Sequence, residues 1–200
     1  MAVTVQAPRS GERGDPQRRE RRWLPLCGVV AGLLLLVGGG YAAAGALSEP
    51  AGPPIQVAGV VTVQPLSGWS LAGRGRLGTS GPMFARLTRG GGTIDVIAYP
   101  GVGGTAGSLA ATYTRELENP LTRLSVSSQL EPVHTAAGLQ GVRFSYAGVI
   151  RETSTPIDGE VTVIVGPSGN GAIFDGSAPA GLLSYASGDI GSMIERAVIA

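Results

Sequence analysis

The chain has 200 residues, enough for one domain and a tail, and a formal net charge of +1. Charged residues make up only 14%, all fifteen basic residues are arginine, and Cys27 is the sole cysteine. This composition excludes an intrachain disulfide, a cysteine-built zinc site and a phosphate-binding Walker loop, which requires a lysine.

Residues 1–22 are polar and carry Arg9, Arg13, Arg18, Arg19, Arg21 and Arg22. They offer no apolar face to offset the entropy of ordering, so they read as a disordered basic tail. From Trp23 to Leu47 no residue is charged. Trp23 and Tyr41 are 18 positions apart, about 27 Å along a helix, close to the thickness of a bilayer core. Residues 23–47 are therefore expected to form one transmembrane helix. The arginines before it predict a cytoplasmic N-terminus and an extracytoplasmic remainder, a single-pass protein of the cell membrane. Ala42, Ala44 and Ala46 offer sites for signal cleavage. An uncleaved anchor is favoured because the apolar run exceeds the ~7–15 residues of a signal peptide core. Cys27 precedes the apolar run, whereas a lipidated cysteine follows one. Gly28 and Gly32 form G-x-x-x-G, which can bring two helices together, so a homodimer through them is a further expectation.

Residues 48–56, "SEPAGPPIQ", read as an extended linker. The extracytoplasmic domain is expected over 57–200. From Ser48 onward nine arginines face seven glutamates and four aspartates, a balance with no general footprint for nucleic acid.

Alternation predicts strands in "MFARLTR", "TIDVIAY", "GVRFSYAG" and "EVTVIVG". One apolar and one more polar face suggest an antiparallel sheet covered mainly on one side. "RGGGT" and "GPSGNGA" read as hairpin turns, the second through Asn170-Gly171. A helix is expected over Ser108–Asn119, with Leu109, Tyr113 and Leu117 on one face and Pro120 after its end. A second is expected from near Pro179, divided or bent by Gly188 and Gly191, with Asp189 capping its second part. The fold class is α+β: mainly antiparallel strands with an inserted and a C-terminal helix.

Little here carries chemistry. His134 is the one histidine, and no G-x-S-x-G accompanies it, so a hydrolase triad lacks its parts. No calcium-loop pattern occurs, and Glu116 and Glu118 are spaced so that they do not face each other on a helix. Gly101, Gly103 and Ala106 fit the G-x-G-x-x-A dinucleotide pattern. The alternating strand before it and the absence of further β-α-β units argue for a turn instead. No catalytic residue, metal or cofactor is expected. Arg74, Arg76, Arg86 and Arg89 are candidate contacts, either as solvated charge or as a surface for anionic lipid headgroups or an acidic partner.

"VQPLSGWSL" places a proline and a Gly-Trp pair between the first two strands, and "VIVGPSGNGAIFDGSAPAGLLSYASGDIGSMIERAVI" closes the domain. This order resembles the PsbP-like domain family, including the actinobacterial LpqN/LpqT-type secreted proteins. The resemblance spans 57–200 and marks the fold, with Trp69 the distinctive matching residue. It implies an antiparallel sheet flanked by helices as an α/β/α sandwich, and binding rather than catalysis. The leading expectation is a non-enzymatic, membrane-anchored accessory module that binds an envelope protein. The alternative is a carrier of lipid or a small apolar ligand, with a cavity lined by Leu109, Tyr113 and Ile194. An enzyme, with His134 meeting carboxylates in a cleft, is the third.

Overall fold

The computed structural model describes residues 52–200. The basic tail, the expected membrane span, Cys27 and the Gly28/Gly32 pair lie outside the described residues. Among the described residues no helix is long and apolar enough to cross a membrane.

The strands are β1 (Ile55–Val57), β2 (Val61–Val63), β3 (Ser70–Arg76), β4 (Met83–Arg89), β5 (Gly92–Tyr99), β6 (Leu121–Val126), β7 (Glu131–His134), β8 (Gln140–Ile150), β9 (Pro156–Val165), β10 (Gly171–Pro179) and β11 (Val198–Ile199). The helices are α1 (Ala106–Leu117), after β5, and α2 (Ser184–Glu195), after β10. The main sheet runs β3-β4-β5-β10-β9-β8-β6, with β7 also pairing to β8, and every pairing is antiparallel. β1, β2 and β11 form a small separate sheet. Ile55 is buried within β1, so ordered structure begins inside the stretch read as linker.

The alternation of each strand decides which residues meet which layer. Ile94, Val96 and Ala98 of β5, with Ala85 and Leu87 of β4 and Phe174 of β10, join Ile190, Met193 and Ile194 of α2 and the small sheet in one core. Val161 and Val163 of β9, with Phe144 and Tyr146 of β8 and Ile173 of β10, join Leu109, Tyr113 and Leu117 of α1 in the other. The sheet is thus an α/β/α sandwich and not a sheet covered on one side. Its covers are offset: α1 lies over β6, β8 and β9, and α2 lies over β5 and β10 on the opposite face. β10 is central and contributes to both cores, which is why its residues read as a nearly continuous buried run.

α1 keeps the expected apolar face and starts two residues earlier than expected. Thr105 caps it, its Oγ1 accepting from the Ser108 N–H at 3.2 Å. α2 departs further from expectation. Pro179 ends β10 instead of opening the helix, α2 starts at Ser184, and it runs unbroken through Gly188 and Gly191. Asp189 lies inside it and faces Trp69 instead of capping. In the β9–β10 hairpin the reversal lies at Pro167-Ser168, where the Gly169 N–H bonds the Gly166 carbonyl at 3.0 Å. The Asn170 side chain instead accepts from the Gly101 N–H at 3.1 Å. The Val102 N–H bonds the Gly169 carbonyl at 2.7 Å. The "PGVGG" stretch is therefore a turn clamped to a hairpin.

Two glycines give opposite expectations. A Cβ on Gly159 would lie 2.2 Å from Tyr146 Cζ, and that ring is buried and hydrogen-bonded. Gly159→Ala should cost roughly 2–3 kcal/mol in denaturant unfolding by overpacking. A Cβ on Gly188, exposed in α2, would meet nothing, so Gly188→Ala should stabilise by about 0.5–1 kcal/mol in the same assay.

Candidate functional site

The tightest polar cluster lies under α1. Asp175 of β10 is 7% exposed. It accepts from the Tyr113 hydroxyl of α1 at 2.7 Å and from the Tyr146 hydroxyl of β8 at 2.8 Å. Cross-strand from it stands Asp95 of β5, itself in register with Arg86 of β4. Arg86 holds Asp95 by two hydrogen bonds of 2.7 and 2.6 Å. Burial, opposed by the two tyrosine hydrogen bonds, pushes the Asp175 carboxyl up to about 6. Burial and then the Asp175 charge push both tyrosines well above their ordinary range, so they remain donors. Both hydroxyls are committed to Asp175, and this cluster pins α1 to the sheet.

The surface that remains open is built on the other face. Gly68 takes a positive φ of 82°, and the Trp69 N–H closes a turn on the Leu66 carbonyl at 3.0 Å, as a glycine at the third turn position allows. This turn sends Trp69 under the β4–β5 hairpin, where it is 6% exposed. Its Nε1 donates to Asp189 Oδ2 at 2.9 Å, and Arg89 of β4 pairs with the same oxygen. Gly92 keeps the site close: a Cβ there would sit 2.8 Å from Ala186 Cβ. The result is an open groove of about 340 Å³ lined by Trp69, Arg89, Gly90–Gly92, Leu182, Tyr185, Ala186 and Asp189. Tyr185 is 85% exposed and Leu182 46% exposed beside it. A second groove is lined by Ser125, Ser127, Ser145, Tyr146 and Asp158, and the Tyr146 hydroxyl is committed to Asp175.

The four candidate arginines divide between the two faces. Arg86 projects toward the α1 side. Arg74 and Arg76 are in register with Ala85 and Met83, which pack on the α2 side, and Arg89 reaches α2 itself. A bulge between Leu71 and Gly73 resets the alternation, so Leu71 joins Arg74 and Arg76 on the α2 side. Arg86 and Arg89 are ion-paired, Arg76 donates to the Gly81 carbonyl at 2.8 Å, and Arg74 has no hydrogen bond or ion pair among the described residues.

His134, the residue of the enzyme alternative, lies exposed on β7. Among the described residues no group of three His, Cys, Asp or Glu could hold a metal. Leu109 and Tyr113 belong to the α1 core and Ile194 to the α2 core, so they cannot line one cavity. Sequence reasoning missed Asp189, Tyr185 and Leu182 as site residues. The only signal was the polar Asp189 amid helix-spaced apolar residues.

The buried carboxylate makes a pH test. Its folded-state pKa lies above the ordinary 3.8, so its contribution is fully present below 3.8 and lost as pH rises through about 6. Between pH 7 and 5 it should add about 1 kcal/mol to unfolding stability. The pH dependence of Asp175→Asn, measured by denaturant melts, should be flatter by that amount.

No protein-family model matches the chain, and no curated protein matches it in sequence. Among solved structures it is similar to cyanobacterial PsbP (CyanoP) of Synechocystis, with 10% identity over 74% of this chain and 92% of that one and a TM-score of 0.52. It is also similar to the Ran-binding protein Mog1p of Saccharomyces cerevisiae, with 13% identity over 76% and 96% of the two chains and a TM-score of 0.48. A Pseudomonas aeruginosa protein of unknown function, a putative regulator, gives 12% identity over 74% and 96% and a TM-score of 0.45. At such identities the likeness is one of fold, and the domain formed by residues 52–200 carries a PsbP-like fold.

Proposed function

We propose that this chain is a non-enzymatic, membrane-anchored binding module of a bacterial cell envelope, which docks a protein partner through the groove above Trp69. The observation that carries the reading is Tyr185, 85% exposed, beside Leu182 at 46%. An exposed tyrosine over a tryptophan floor, with an arginine at the rim, has the composition of a protein-binding hot spot, and the leucine adds apolar contact area. Asp189 already accepts from Trp69 and Arg89, whereas Arg74 and Arg76, on the same side of the sheet, have no ion pair among the described residues. Charge complementarity therefore selects a partner segment with an apolar side chain flanked by carboxylates. The anchor and the extracytoplasmic side are proposed from the uncharged stretch 23–47 and the arginines before it.

The test places a photo-crosslinkable amino acid at Tyr185 of the full-length chain in intact cells. A single reproducible protein adduct is expected. With the crosslinker moved to an adjacent groove position, Leu182→Ser and Arg89→Glu should abolish the adduct. Tyr185→Ala should alter unfolding stability by less than about 0.5 kcal/mol, since exposed positions tolerate such changes. An absence of adducts, or adducts insensitive to both substitutions, would rule out docking at this groove.

A further inference from the structure

Among the described residues β3 is the outermost strand of the main sheet and pairs on one side only, with β4. Its seven residues include no proline, and all but Gly73 and Gly75 are exposed. Edge strands of this kind template the addition of another strand unless something blocks them. The bulge between Leu71 and Gly73 leaves the stretch Gly73–Arg76 in regular register with β4. A Cβ at Gly73 would meet nothing within 4 Å, so the sheet face is open at this point of the strand. Arg74 and Arg76, two residues apart, put two guanidinium groups on one face of this edge.

Those charges determine what can pair there. A second copy of β3 would set arginine against arginine across the ladder, and like charges opposite each other destabilise. A strand with carboxylates at every second position would set both of them against arginines, because side chains alternate with a period of two. Leu71, 40% exposed on the same face, continues the row with an apolar contact.

We infer that the free edge of β3 takes up an extended acidic segment of a partner protein as an added β-strand. This rests on the protein-docking reading above and supplies its mode: backbone hydrogen bonds give affinity, and Arg74 and Arg76 select the sequence.

The probe is a synthetic peptide alternating glutamate with valine, long enough to span β3, titrated into the full-length chain. The inference expects binding, with new hydrogen-exchange protection at the β3 amides. N-methylation of alternate peptide nitrogens on the pairing side should abolish it. Arg74→Glu with Arg76→Glu should weaken it by roughly tenfold or more, since two favourable pairs become repulsive. Both sites are exposed, so these variants should fold, as an unchanged circular dichroism spectrum would verify. The inference is overturned if the peptide does not bind, if affinity survives N-methylation or charge reversal, or if protection appears only at Leu182–Asp189. Binding of phosphatidylglycerol vesicles without peptide binding would also overturn it, marking a lipid-facing charge patch. If β3 fails while the groove crosslink still responds to Leu182→Ser and Arg89→Glu, strand addition falls and groove docking stands. If both fail, both readings fall.

Discussion

One carboxylate joins three parts of the chain on the open face. Asp189 of α2 accepts from Trp69, which precedes β3, and from Arg89, which ends β4. The Trp69 contact spans 120 residues of sequence. The loop before the edge strand, the β4–β5 hairpin and the closing helix take their relative positions there. A buried indole N–H needs an acceptor, and an aspartate inside a helix near the sheet needs a counter-charge; each meets the other's requirement. The groove floor and rim, and the outward placement of Tyr185, follow from this arrangement.

The offset covers explain where polar residues accumulate. α1 shields the β6–β8–β9 half of one face and α2 the β5–β10 half of the other. Each face therefore keeps an uncovered half. On the α1 side that half carries the Arg86–Asp95 pair, and on the α2 side it carries Arg143 between Glu131 and Glu160 at 2.9 and 3.5 Å. The exposed Arg143 pairs contribute little stability and keep the sheet surface hydrated, whereas Arg86 grips the less exposed Asp95 by two hydrogen bonds. The apolar exposure at Leu182 and Tyr185 differs because no charged residue beyond Arg89 and Asp189 lines that groove.

What could be read from the sequence was local. The apolar stripe of α1 and the alternation of β4, β5, β8 and β9 were visible because each depends on a period set by its own backbone. The small sheet was not, since strands of two or three residues carry no period. The opening of α2 was misplaced because Pro179, a residue type that can begin a helix, instead sits at the last paired position of β10. The arginines looked like one cluster, yet Arg86 faces away from the other three. That division depends on strand parity and on a bulge that leaves no local mark in "SLAGRGR". The groove was hidden for a similar reason, since Trp69, Arg89 and Asp189 meet only after the strands have paired. The Gly-Trp pair could be recognised, but its partner could not.

The central claim is that the α2 side of the domain is covered in the cell by a protein. Hydroxyl-radical footprinting can compare the full-length chain in its native membranes with the same chain purified. The account predicts that oxidation of Tyr185 and Leu182 falls sharply in native membranes, while Leu130, 45% exposed, is oxidised equally in both. Equal oxidation of Tyr185 in the two preparations, or protection confined to Leu130, would contradict it.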